Sequence, residues 1–323
     1  MQNTSTPRAG KPPRKATNQA SAVPKAEKSA QVIEELKPGQ SIELLKELHI
    51  LTREGKLNQD TRRKLKQVYH LYQFIEPLLN EVAANNPAPT LADHGAGKSY
   101  LGFILYDLFY NVANQGQKTA GHIYGIETRA ELVEKSRALA ARLGFARMSF
   151  LNLSVQQATT SEELPQTVDI VTALHACDTA TDDAIAFGLA KHARHMVLVP
   201  CCQAEVASVL KRNKVLAMNK TPLAELWRHP LHTREFGSQI TNVLRCLQLE
   251  ASGYQVTVTE LVGWEHSMKN ELILASRPAM PKPGKTRAAQ ERLQQVLQEL
   301  GLAELSARFA VPAEAVAAAE ATT

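Results

Sequence analysis

Leu91-Ala92-Asp93-His94-Gly95-Ala96-Gly97-Lys98-Ser99-Tyr100-Leu101-Gly102 joins an apolar run to an amphipathic one, and its reading decides the fold. The run before Asp93 fits a short buried strand, the glycines allow a tight left-handed turn, and a helix follows. On either side, from Thr90 to about Arg277, short apolar runs alternate with amphipathic stretches, the pattern of a parallel sheet covered by helices on both faces. Strands are predicted at Thr90 to Asp93, His122 to Glu127, Met148 to Leu151, Val168 to Leu174, His195 to Pro200, Tyr254 to Val262 and Glu271 to Ser276. Only Gly263 to Asn270 separates the last two, too few residues for a helical crossover, so that pair is predicted antiparallel.

The remaining chain divides by composition. Residues 1–30 have no apolar periodicity and read as a disordered basic tail. Arg8, Lys11, Arg14, Lys15, Lys25 and Lys28 against Glu27 account for the whole formal net charge of +5. Residues 31–86 read as a helical entry module: Ile42, Leu44, Leu45, Leu48 and Leu51 carry helical spacing, and Asp60 is the predicted N-cap of a longer helix through Leu65, Val68, Tyr72, Ile75 and Leu79. The α/β domain spans 87–278, with an insertion at about 205–238, and 279–323 reads as a Pro/Lys/Gly linker, a short helix and an Ala-rich tail. The predicted fold class is therefore α/β: a Rossmann-like seven-stranded, mostly parallel sheet with an antiparallel last strand.

Composition narrows the function classes. The N-terminus lacks the apolar core of a signal peptide, and no run approaches the roughly 20 apolar residues of a membrane span, so a soluble cytoplasmic protein is expected. Cys177, Cys201, Cys202 and Cys246 form no C-x-x-C pair, which predicts reduced thiols and no metal.

Two chemistries compete for the glycine loop. Ala92 to Ser99 fits a loosened phosphate loop, in which Lys98 neutralises phosphates and Ser99 holds magnesium. Such a loop normally opens with Gly where Ala92 stands, disfavours an acid such as Asp93, and needs a second strand ending in Asp. Asp93-x-Gly95-x-Gly97 is also the first motif of S-adenosylmethionine-dependent methyltransferases, which need an acid at the end of the next strand for the ribose hydroxyls. Ile123-Tyr124-Gly125-Ile126-Glu127 supplies that acid, and Arg129 to Leu143 supplies the helix after it, closed by Gly144. Ser99 stands where many of these enzymes have a third glycine, which predicts a helix start slightly farther from the sheet.

The set Asp93-x-Gly95-x-Gly97-Lys98-x-Tyr100-Leu101, Leu174-His175-Ala176-Cys177, Thr179-Ala180-Thr181-Asp182, Pro200-Cys201-Cys202 and Lys269-Asn270 resembles the class I methyltransferase domain of the methyltransferase-like proteins related to the glutathione S-transferase C-terminal-domain-containing protein. It is similar, more distantly, to the tRNA methyltransferases that modify ribose in the acceptor stem. The resemblance covers Leu91 to Ser276 and implies S-adenosyl-L-methionine as cofactor. The chain departs from the family at Asp178, where Gly is usual, and at Gln203, where His or Tyr is common.

The candidate cofactor contacts are Asp93, Gly95, Ala96, Gly97, Glu127, Asn152, Leu153 and His175, with Asn152 and Leu153 near the adenine. At the strand ends where the methyl group would lie, His175 and Asp178 are the candidate bases. Asp178 reads equally as the cap of the helix beginning Thr179. Cys202, Lys269 and Asn270 are candidate substrate-side residues. The insertion, with Lys211, Arg212, Lys214, Lys220, Arg228, His229, His232 and Arg234, is expected to shape the acceptor site, and Arg53, Lys56, Arg62, Arg63, Lys64 and Lys66 in the entry module, combined with the basic tail, tilt the expected substrate towards RNA. A protein substrate, an ATP-binding phosphate-loop module and a non-catalytic cofactor-binding subunit are the rival readings.

Overall fold

The computed structural model describes residues 35–112, 120–174, 178–200, 203–213, 222–261, 271–280 and 283–313. Two helices precede the sheet, α1 (Ile42–Glu47) and α2 (Gln59–Asn85). Then follow β1 (Thr90–His94), α3 (Tyr100–Leu105), β2 (His122–Ile126), α4 (Ala130–Leu143), β3 (Met148–Leu151), α5 (Val155–Thr160), β4 (Ile170–Ala173), α6 (Thr179–Ala190) and β5 (His195–Leu198). The chain ends with α7 (Glu205–Asn213), α8 (Pro230–Ala251), β6 (Gln255–Glu260), β7 (Glu271–Ser276) and α9 (Pro283–Glu299).

Seven strands form one sheet in the order β3-β2-β1-β4-β5-β7-β6. β3, β2, β1, β4 and β5 are parallel; β7 runs antiparallel between β5 and β6. This is the predicted Rossmann-like sheet, with β4 at its centre and β1 beside it. The order reverses between them, and ligands in such sheets lie outside the carboxyl ends at that reversal.

One face of the sheet packs on α3 and α4 through aromatic rings, with Tyr106 stacked on Phe145 at 4.5 Å and Phe103 against Phe150 at 5.4 Å. Beyond Leu105, α3 widens into a π-helical turn, Tyr106–Val112, and the turn's Asp107 accepts a hydrogen bond from the Ser41 N–H that precedes α1, at 3.0 Å. The opposite face is aliphatic: Ala92, Ile126, Val171, Ala173, Leu198 and Ile273 pack against Ala158 of α5, Ile185 and Phe187 of α6 and Leu249 of α8.

Two boundaries differ from expectation. The N-cap of α2 is Asn58, not Asp60: the Asn58 side chain accepts from the Thr61 N–H, and the Thr61 hydroxyl accepts from the Asn58 N–H. That reciprocal box satisfies two backbone donors, whereas Asp60 falls in the first turn and pairs with Lys64 at 3.0 Å. The predicted C-terminal helix also starts earlier than expected, inside the predicted linker. Pro283 opens the 17-residue α9, since proline loses nothing as a first helical residue. Leu293 and Leu297 of α9, with Leu302, Leu305 and Phe309, form a second core with Val206, Val209, Leu210, Leu244 and Leu247.

A buried charge pair joins α6 to α8. Arg245 is fully buried; its Nε and Nη2 donate to the Asp182 carboxylate at 2.6 and 2.9 Å, Nη1 to Asn242 Oδ1 at 3.1 Å and Nη2 to the Asp178 carbonyl at 2.8 Å. Breaking such a pair from one side leaves an uncompensated buried charge. Arg245→Leu is expected to lower unfolding free energy in urea by about 3–5 kcal/mol. Adding Asp182→Leu should recover only part of the loss, because the Asp178 carbonyl and Asn242 still lose a donor.

Candidate functional site

The glycine loop turns at three left-handed residues, Gly95 (φ 65°), Gly97 (φ 59°) and Ser99 (φ 52°). A Cβ at Gly97 would meet no atom closer than 3.8 Å, so backbone conformation requires glycine there, and the space above it is open to a ligand. Ser99 takes the same conformation with a side chain, which L-residues adopt at a cost. Its buried hydroxyl has no hydrogen-bond partner, and it fits only because its neighbours are Gly102 and Gly125. A Cβ on Gly102 would fall 2.7 Å from the Ser99 hydroxyl, and one on Gly125 would fall 3.4 Å from it. The close approach that a third glycine usually allows is thus met by thinning the next turn of helix and the neighbouring strand.

Hydrogen bonds draw the ends of β1, β2 and β3 together. The Ala96 N–H donates to the Ile126 carbonyl at 3.0 Å, and the Gly97 N–H donates to Glu127 Oε2 at 2.8 Å. Glu127 Oε1 accepts from the Arg129 backbone N–H at 3.0 Å and from Arg129 Nε at 3.1 Å. Burial pushes the Glu127 carboxyl up, but the Arg129 guanidinium and the Arg129 and Gly97 N–H groups outweigh it and hold the group below its ordinary value. Asn152 donates its side-chain amide to the Glu127 and Thr128 carbonyls at 3.0 and 2.8 Å, fixing the rim between β2 and β3, while Leu153 packs against the aliphatic core below. Gly95, Ala96, Gly97, Glu127, Asn152 and Leu153 therefore lie at or just beyond the ends of the adjacent strands β1, β2 and β3.

Asp93 lies beneath this loop. It is 2 % exposed, its Oδ1 accepts from the Thr172 hydroxyl at 2.8 Å, and the Gly102 N–H supports it. Desolvation raises its carboxyl to about 7 despite these bonds. The neighbouring His94 points to the other face of the sheet, against Phe187, with neither ring nitrogen bonded. Desolvation pushes it down to about 4.

Asp178 has φ 53° and ψ −123°, a conformation that suits glycine, which accounts for glycine as the family's usual residue here. The expected cap of α6 is not made: its side chain forms no bond to that helix. Instead Oδ1 accepts from the backbone N–H groups of Ala204 (3.0 Å) and Glu205 (3.4 Å), so Asp178 supports the start of α7 across the end of β5. His175, Cys202, Lys269 and Asn270 lie outside the described residues. The residues that follow each of these segments are tied to α8: Asp178 through Arg245, Gln203 to Asn242 at 2.8 Å, and Glu271 to Asn242 at 2.6 Å. Sequence reading missed Arg245 and Asn242, because an arginine and an asparagine at helical spacing look like a solvated face. It also missed Arg129, whose only signal is its position two residues after Glu127.

Among the described residues no group of three or more His, Cys, Asp or Glu side chains is placed to hold a metal ion, and no helix is long and apolar enough to cross a membrane. Two placements disfavour a polyphosphate. The Gly97 N–H, which a phosphate loop would offer to its ligand, is occupied by an anionic carboxylate, and Lys98 lines a groove beside α4.

Residues 63–209 match the family model described as a methyltransferase domain. Solved structures similar to this chain include an rRNA methylase from Streptococcus thermophilus at 10% identity, covering 63% of this chain and 94% of that one with a TM-score of 0.38. Magnesium protoporphyrin IX methyltransferase from Synechocystis PCC 6803 with bound SAH is 14% identical over 69% of this chain and 89% of its own, with a TM-score of 0.39. The fibrillarin pre-rRNA processing protein of Methanococcus jannaschii is 10% identical over 59% and 67%, with a TM-score of 0.37. Likeness at this level does not distinguish one acceptor from another. A comparison with curated proteins returns no match. Residues 63–209 form a methyltransferase domain, for which S-adenosylmethionine is the cofactor.

Asp93 and His94 oppose one another in acid. Asp93 has a raised folded pKa, so its contribution to stability is complete below about pH 4 and is lost as pH rises through about 7. His94 has a depressed one, so it contributes above about pH 6.5 and is lost as pH falls through about 4. Urea unfolding between pH 4 and 7 is expected to separate the two contributions when each variant is compared with the wild type. Asp93→Asn should become less stable towards acid and His94→Leu more stable towards acid. Parallel profiles for all three proteins would contradict this pairing.

Proposed function

We propose that this methyltransferase acts on RNA. The observation that carries the reading is a local run of cations in the entry module: Arg53, Lys56, Arg63, Lys64 and Lys66 are exposed, and Asp60, one of two acids within that stretch, pairs with Lys64. The tail adds six more basic residues against one acid. Clustered cations suit a phosphate backbone, which they bind by releasing counterions.

In this reading the chain's own residues have separate tasks. Glu127 is anionic and held rigid by Arg129 and Gly97, in the position from which a carboxylate accepts hydrogen bonds from ribose hydroxyls. Gly95 and Gly97 let the main chain approach the amino-acid part of the cofactor, and Leu153 with Asn152 lines the base. Bound S-adenosylmethionine supplies an electrophilic methyl group on a sulfonium. Asp178, tethered through one carboxylate oxygen at the end of β4, is assigned to accept the proton of the attacking group, with His175 as the second candidate. Cys202, Lys269 and Asn270 are assigned to the acceptor side.

Asp178→Asn separates the two roles of this residue, since the amide oxygen still accepts from Ala204 and Glu205. The variant is expected to fold and bind S-adenosylhomocysteine as the wild type does, while methyl transfer falls by about 10²–10⁴-fold. Unchanged transfer would leave Asp178 as a cap alone. The substrate is tested by giving radiolabelled S-adenosylmethionine and the purified chain to total RNA and to protein extract from cells lacking the gene. Label is expected in RNA; label confined to protein would reject RNA as the substrate.

A further inference from the structure

Beyond the glycine loop, Lys98 and Tyr100 form one wall of a second recess. It lies between the end of α1 and the outer surface of α4, with a cavity of about 340 Å³, within the roughly 300–1,000 Å³ typical of small-ligand clefts. Tyr100, Leu132 and Leu139 give it an apolar lining, and Lys98, Lys135 and Arg142 bring positive charge. The single acid in the lining, Glu47, is bonded to Arg142 at 2.9 Å. Lys98 and Lys135 are exposed and make no ion pair among the described residues.

The composition of this groove restricts its ligand. A free inorganic anion would use the two lysines and leave the tyrosine and leucines idle, while a purely apolar ligand would be repelled by unpaired cations. A flat apolar body joined to a phosphate satisfies both sets, and that is a nucleotide. Chain connectivity points to a nucleotide within a strand: the lip at Glu47, Leu48 and His49 runs directly into the segment carrying Arg53 and Lys56, and then into the first turns of α2 with Arg63, Lys64 and Lys66. These residues extend the cationic surface away from the groove.

We infer that the groove is a docking site for one nucleotide of the RNA substrate, away from the methylated position. Its base lies against Tyr100, Leu132 and Leu139, and its phosphate between Lys98 and Lys135. The inference rests on the RNA reading given above, and it adds a contact outside the cofactor site.

Lys135 is the residue to test, because it belongs to α4 and is none of the residues assigned to the cofactor. Fluorescence anisotropy with a short fluorescein-labelled oligouridylate, using the full chain at several salt concentrations, gives the affinity and its salt slope. Lys135→Glu is expected to weaken binding about tenfold or more and to reduce the magnitude of the salt slope by about 0.7, the loss of one phosphate contact on a single strand. Lys135→Arg should retain binding, and affinity for S-adenosylhomocysteine should be unchanged in both variants. If Lys135→Glu binds the oligonucleotide with wild-type affinity and slope, the groove assignment is overturned and the RNA reading stands. If the wild type itself binds no RNA, both fall together. A loss of S-adenosylhomocysteine affinity in Lys135→Glu would also overturn the assignment, since the effect would then run through the cofactor site.

Discussion

The Gly97 N–H to Glu127 carboxylate bond organises the functional end of the sheet. It ties the loop after β1 to the end of β2, and Asn152 ties the end of β2 to the end of β3. Because the acid is both half of the tie and the group facing the loop, the site has a fixed negative charge where a phosphate loop has converging N–H donors. The Arg129 guanidinium keeps that charge ionised without removing it. The Gly97 N–H, bonded to that carboxylate, is no longer a donor open to a phosphate.

The positions of the seven strands were legible because each is a short apolar run bounded by turn residues, and the antiparallel end was legible from one short connection. The glycine loop and Glu127 were legible for the same kind of reason: left-handed backbone needs glycine, and a carboxylate closing a strand is a local pattern. Longer-range features were not. Arg245 lies 63 residues from Asp182, and Asn242 lies 29 from Glu271, so no spacing rule connects them. The helix through Leu293 and Leu297 was legible, but its start was hidden by the linker composition of Pro281 to Lys285, and the core it forms with Val206, Val209, Leu210, Leu244 and Leu247 was hidden by their distance in sequence. The π-helical turn at Tyr106–Val112 likewise left no trace in a run that is apolar nearly throughout.

The polar network on α8 runs against simple stability. A fully buried arginine is expensive to desolvate, and an apolar pair of similar volume is often as stable. What an apolar pair lacks is direction. Arg245 bonds the Asp178 carbonyl, and Asn242 bonds both Gln203 and Glu271, so one helix face sets the positions of residues after β4, after β5 and at the start of β7. At the first two of these points the chain leaves the sheet, and at the third it re-enters.

The same logic explains the strained residue in this set. Glycine at position 178 would relax the backbone, yet it would release the N–H groups of Ala204 and Glu205 at the start of α7. Asp178 in a left-handed conformation couples the end of β4 to α7 directly, and Arg308 extends the coupling by bonding Glu205 at 3.2 Å from the segment that follows α9. Backbone strain persists only where the surroundings over-determine it. Here they do so from α7, α8 and the C-terminal segment at once, which makes helices outside the residues 63–209 match part of the frame that holds the ends of β4 and β5.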